Sequence, residues 1–467
     1  MAVRSAPRVT LAPWRPLINR IPRLAVDRAW RCLLLLVAAI LSTGQALAAG
    51  LLAGPMAGVS TRDTVTIWLM SDADARVTLD YWPADEPGRV ASSPPVSAPS
   101  ATSRAAHIRL GGLTPATRYQ YRVRLDGRAQ EPRFGFVTQS GHGRAPRDFT
   151  LATGSCAYLG DSPDEGSAGA FRIFDAMAAR KPDLMLWLGD TIYYRDADFE
   201  GDAATRMNAR WLATRAYPPL QRLLQTGQHY AIWDDHDYGP DNSDHGFALK
   251  SESLELFRRY WANGSYGLPD VPGIFSKVSY EDVDIFLLDD RFHRDADSAP
   301  DTPRKTMLGT AQLEWLKREL LQSRANFKLI ANGSRMLSER PSAAKRGGEG
   351  WHNHPEERRA FLEWLAAKRV DGVVFLSGDI HYSHLTERER PGHYPLVELT
   401  CSPLTSRVHP RPNPIGIVSE TLVLDRNFCI LDFSGPPQSR ELALSAWNAD
   451  GKRLWERRYP ARVLRER

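Results

Sequence analysis

Between about residues 60 and 138, apolar and polar positions alternate in short runs, TVTIWLM, RVTLDYW, AAHIRL, RYQYRVRL and RFGFVT, separated by clusters of Pro, Gly, Ser and Asp. Alternation with period two puts one row of side chains into a core and leaves the other in water, so the stretch predicts a small all-β sandwich over residues 58–138. Residues 139–147, QSGHGRAPR, read as a linker. From 148 to about 460 the pattern changes. Apolar β-rich runs alternate with helical ones such as GAFRIFDAMAAR, SLELFRRYW, AQLEWLKREL and PEERRAFLEWLAAKR, which predicts an α/β domain.

The ends of those apolar runs carry the chemistry. FTLATGSC stops at Cys156, DLMLWLGD at Asp190, YAIWDD at Asp235, FKLIAN at Asn332 and GVVFLSGD at Asp379. In open α/β sheets the site forms beyond the carboxyl ends of the strands, so these five side chains can converge on one crevice. Taken singly, each Asp or Asn also reads as a turn residue or helix cap. Their joint occurrence beside His and Tyr favours a metal site.

Composition changes the picture in three places. With 467 residues, 42% of them hydrophobic, the chain can build two domains and a large core. The net charge of +5 comes from the front, where residues 1–48 carry seven Arg and one Asp, so the remainder has no basic excess. An Arg-rich start running into CLLLLVAAILSTGQALAA predicts an export signal over residues 1–48, with an uncleaved anchor as the alternative. The expected location is periplasmic or secreted, with no stable membrane insertion after cleavage. Three cysteines remain beyond the signal; Cys401 and Cys429, both in strand-like contexts, can pair or stay as buried thiols.

In GDTIYY, Asp190 can bridge two cations and Tyr193 can return a phenolate to the same place. In SGDIHYSH, Asp379 and His381 lie two apart on an extended segment and point the same way. The run AIWDDHDYG gathers Asp234, Asp235 and Asp237 around His236, and burying three such acids requires a cation or several donors. Hard oxygen ligands suit Fe(III), Ca(II) or Mn(II), and a thiolate at Cys156 paired with Tyr193 suits ferric iron.

Together GSCA, LGDTIYY, WDDHDYG, LLDDRFHRD, IANGSRM and LSGDIH resemble, in order, the alkaline phosphatase D (PhoD-like) branch of the metallophosphoesterase superfamily. The stretch LGGLTPATRYQYRVRLDG resembles the tyrosine corner of fibronectin type III and immunoglobulin-like domains. The resemblance implies two central mixed sheets flanked by helices over 148–460, behind the sandwich. It implies one metal held by Cys156, Asp190, Tyr193 and His381, and a second held by Asp190, Asp235, Asn332 and Asp379. Fe(III) with Ca(II) is the expected pair, with Mn(II) or Zn(II) as alternatives. His236 would protonate the leaving group or hold a phosphoryl oxygen, with Asp237 orienting its ring and Asp234 accepting from the backbone of the turn. Arg291 would clamp phosphate, its alternative being an Asp–Arg ion pair.

The expected function is hydrolysis of a small-molecule or polymer phosphate mono- or diester by a metal-bound hydroxide. Two rivals are a calcium-stabilised adhesion or binding protein without activity, and a nuclease, for which no basic groove is evident. The Gly-rich run AAKRGGEGWHNHPEERR reads as a substrate lid or a solvated loop.

Overall fold

Five apolar runs beyond residue 148 become strands of five residues: Leu184–Leu188, Gln228–Ile232, Val283–Leu287, Phe327–Ala331 and Val373–Ser377. Every residue in them is buried, as expected of parallel strands covered on both faces. The computed structural model describes residues 48–140, 145–159, 171–337, 349–409 and 415–466. Apart from its last residue the expected export signal lies outside the described residues, as do parts of the 139–147 linker and of the Gly-rich run before Trp351. Among the described residues no helix is long and apolar enough to cross a membrane.

Two mixed sheets form the centre. One has nine strands, with Phe149–Gly154, Leu184–Leu188 and Gln228–Ile232 parallel at its middle and antiparallel strands Asn427–Ser434, Glu441–Asn448 and Arg453–Pro460 on one side. The other has six, with Val283–Leu287, Phe327–Ala331, Val373–Ser377 and Leu396–Thr400 running parallel. Aromatic contacts join them: Phe149 stands 4.9 Å from Tyr280, and Phe327 stands 5.5 Å from Phe433. The periodic runs form helices, among them Arg172–Ala179, Lys250–Tyr260, Thr310–Gln322 and Pro355–Ala367, the last opened by proline.

The first segment is all-β, with strands Val65–Ser71, Ala75–Pro83, Ala105–Leu110, Arg118–Leu125 and Phe134–Val137 close to the alternating runs. Its inward residues, including Val65, Ile67, Val77, Leu79, Ile108, Tyr121 and Val123, make a core of their own. One layer is continuous with the nine-stranded sheet, because the strand Leu51–Ser60 pairs in parallel at Ala57 with Gln228. The Gln228 side chain reinforces this seam by accepting from Ser60 Oγ at 2.6 Å and donating to the Val137 carbonyl at 3.1 Å.

Candidate metal centre

Cys156, Asp190, Asp235, Asn332 and Asp379 sit one to three residues past strand ends, with Tyr193 and His381 a little further along the same segments, at the carboxyl edges of both sheets. Cys156, Asp190 and Asp235 follow three neighbouring strands of the nine-stranded sheet; Asn332 and Asp379 follow two neighbours of the six-stranded one. Four of the predicted ligands, Cys156, Asp190, Asp379 and His381, adopt positive φ of 56°, 52°, 73° and 58°. A left-handed non-glycine residue costs on the order of 1–3 kcal/mol, so the packing around these loops over-determines them.

That packing crosses between the sheets. Cys156 Sγ, from the nine-stranded sheet, lies 3.3 Å from the Asp379 carbonyl of the six-stranded one and 3.4 Å from Asp190 Oδ2, within reach of its one S–H. The Tyr193 hydroxyl donates to the same Oδ2 at 3.5 Å, while Asp190 Oδ1 accepts from the His236 amide at 3.4 Å. Ligand atoms of Asp190, Asp235 and His236 lie within 4.8 Å of one another. Ser402 Oγ ties His381 to Cys156, accepting from the His381 amide and donating to Cys156 Sγ, both at 3.1 Å.

Asn332 and Asp379 each present a buried oxygen with nothing to accept from. The Asn332 amide nitrogen is committed to Asp290 Oδ2 at 3.0 Å and the Ser334 carbonyl at 2.7 Å, which leaves Oδ1 aimed away and without a donor among the described residues. Asp379 Oδ2 is likewise buried and unpartnered. Buried oxygens of this kind are rare unless water or an ion completes them.

Electrostatics sharpens the point. Burial, and then the charges of Cys156, Asp235, Asp237 and Asp379, pushes Asp190 well above the usual carboxylate range; burial, Glu349 and Asp235 do the same to Asp379. Asp235 goes the other way: burial opposes its charge, yet His236 and Arg291 hold it at about 2. Burial, then the His236, Arg407 and His409 charges, pulls His381 down to about 4, which keeps the imidazole neutral and able to ligate. The Cys156 thiol is pushed up to about 12 by burial.

Around this centre three roles differ from the sequence reading. Arg291, expected to clamp phosphate, is wholly buried. Its Nε donates to Asp234 Oδ1 at 2.7 Å, and its terminal nitrogens hold Asp234, Glu349 at 2.6 and 2.8 Å, and the Ser243 carbonyl. This is the ion pair that stood as its alternative, enlarged by Glu349, and it offers no donor to a substrate. Asp234 therefore faces Arg291, and the backbone-accepting role falls to Asp237. The Asp237 carboxylate takes the amides of Asp190, Thr191 and Ile192, the Thr191 hydroxyl and the Asp234 amide, bracing the GDTIYY loop rather than the His236 ring.

Glu349 escaped the sequence reading. It lies in a Gly-rich polar run that gives no local sign of burial, yet its carboxylate stands within 4.8 Å of Asp234 and Asp235. Trp351, His352 and His354 beyond it are buried too, so this end of the run is not a solvated loop. Cys401 and Cys429 form a disulfide, and Cys156 is a free buried thiol.

The family model described as PhoD-like phosphatase matches residues 151–421, more than half of the chain and every expected ligand. The chain belongs to that family. A model described as a domain of unknown function matches residues 48–140. Alkaline phosphatase D of Bacillus subtilis (strain 168) is 25% identical over 318 residues, which are 59% of this chain and 53% of the relative, so the chain spans about half the length of that protein. The solved structure of PhoD has the same fold at 17% identity, with a TM-score of 0.69 over 86% of this chain and 91% of the other. Purple acid phosphatase PPD1 from yellow lupin seeds shares it at 13% identity, with a TM-score of 0.63 over 88% and 74%.

Proposed function

We propose that the protein is an exported, metal-dependent phosphoesterase that hydrolyses phosphate mono- or diesters. Cys156, Asp190, Tyr193 and His381 would hold one cation and Asp190, Asp235, Asn332 and Asp379 a second. The donor set fits ferric iron at the first position and calcium at the second. Bound there, the cations would polarise phosphoryl oxygens and acidify a water. The chain's own groups do the rest. Asp237 fixes the Asp190 loop, and His236, part-exposed with Nε2 3.8 Å from Asp241, would face the leaving oxygen or hold a phosphoryl oxygen.

The observation that carries this reading is the pair of buried, donorless oxygens on Asn332 and Asp379, set on loops from one sheet against Asp190 and Asp235 from the other. The Cys401–Cys429 disulfide supports an oxidising compartment and hence export. The same reading divides the chain into an all-β part over 58–138 and a phosphatase part over 148–460. The Thr114 amide, donating to the Tyr119 hydroxyl at 2.9 Å as a tyrosine corner would, supports kinship of the first with fibronectin type III domains. The test is hydrolysis of para-nitrophenyl phosphate and its bis ester. Activity abolished by chelator and restored by cations is expected, and a chelated protein of undiminished rate would remove the proposal.

A further inference from the structure

With Arg291 enclosed, the site lacks its expected grip on phosphate. Other arginines near it are engaged by the chain: Arg294 by Asp297 and Glu349, and Arg195 by the Tyr158 hydroxyl and the carbonyls of Tyr193 and Tyr194. Arg335 is different. It stands three residues beyond Asn332, in the loop leaving the strand Phe327–Ala331.

Its backbone is clamped. The Arg335 carbonyl accepts from the Trp351 amide at 2.8 Å, and the next two amides, Met336 and Leu337, donate to the buried Glu398 carboxylate at 2.7 and 2.8 Å. Its side chain has no such partner. Among the described residues no carboxylate lies within ion-pair distance of the guanidinium, and Nε is buried with no acceptor although the residue is only half-buried. The fork thus has its inner N–H turned into the protein and its outer nitrogens open. Its charge reaches Asp379, Tyr382 and His384. Asp379, in the loop that follows the strand Val373–Ser377, is one of the expected ligands of the second cation.

A guanidinium on a clamped backbone, without a counter-anion and at the edge of an acid-rich centre, is placed to receive an anion, and its planar fork matches phosphate oxygens. We propose that Arg335 binds the phosphoryl group of the substrate, and of the inorganic phosphate released from it, in the position the sequence suggested for Arg291. The inference rests on the phosphoesterase reading.

Calorimetric titration of the metal-loaded protein with inorganic phosphate, at fixed ionic strength, tests it alongside phosphate inhibition of bis(para-nitrophenyl) phosphate hydrolysis. We expect Arg335→Gln to weaken phosphate binding at least about tenfold, with KM raised to a similar degree, and Arg335→Lys to recover part of both because it keeps the charge but not the fork. Both variants should melt with the wild type, since the side chain holds no other group in place. Phosphate affinity within about twofold of wild type in Arg335→Gln overturns the assignment while leaving the enzyme reading intact. A wild-type protein that neither hydrolyses the ester nor binds phosphate overturns both.

Discussion

At the scale of single residues, the centre depends on what has no room to change. A Cβ added at Gly333 would meet the Asp234 carboxylate, with its carbon 2.5 Å away, and one at Gly378 would meet Ser155 Oγ at 2.4 Å. Both glycines let loops of one sheet touch loops of the other. Gly333→Ala should therefore displace Asn332 and Asp234 together, costing about 1–3 kcal/mol by urea unfolding and more than about tenfold in ester hydrolysis. Arg291→Ala separates the two roles considered for that residue. As the counter-ion of Asp234 and Glu349, all three buried, its removal should cost about 3–5 kcal/mol of stability. A variant that folds with wild-type stability and merely shows a higher KM would restore the clamp.

At the scale of elements, the strand ends are the organising feature, and they were legible because an apolar run closed by Asp, Asn or Cys recurs five times, although each alone also fits a turn or a helix cap. The neighbouring acids were not. Nothing local distinguishes Asp234, which faces Arg291 from another loop, from Asp237, which turns back onto the Asp190 backbone. Glu349 is silent for the same reason, since its partner Arg291 is 58 residues away in sequence. The disulfide has a specific job here. It joins Cys401, ahead of the loop bearing Ser402 and Ser406, to the strand Asn427–Ser434; Ser402 Oγ touches Cys156 Sγ and Ser406 Oγ lies 3.1 Å from the Tyr193 hydroxyl. Closing a loop with a sequence separation of 28 residues is worth about 3–4 kcal/mol by chain entropy. The Cys401→Ser/Cys429→Ser pair should lose about that much in denaturant unfolding, and a loss below about 1 kcal/mol would show the loop is held by its hydrogen bonds instead.

At the scale of the whole molecule, the β-rich front and the α/β remainder were visible as a change of period, but their junction was not. The strand Leu51–Ser60 contains Gly54 and Pro55 and does not alternate, and its pairing with Gln228 bridges some 170 residues, beyond the reach of any local pattern. The buried acids also give the molecule a pH signature. Asp190 and Asp379 titrate above their unfolded value, chiefly through burial, so the metal-free folded chain holds protons that the unfolded chain releases. Their contribution is thus present at low pH and lost as pH rises from about 4 through the raised values. Because a cation must displace those protons at low pH, added cation should raise the melting temperature more at about pH 8 than at about pH 5. An equal rise at both would mean that these carboxylates hold no extra protons in the metal-free chain.

On the proposed reading, loops from two sheets enclose a shared cation cluster around Asp190. The metal content of natively purified protein tests it most directly. Two or more cations per chain are expected, with a visible charge-transfer band lost in Tyr193→Phe if one of them is ferric iron. Less than one equivalent of metal in protein that hydrolyses phosphate esters at full rate would contradict it.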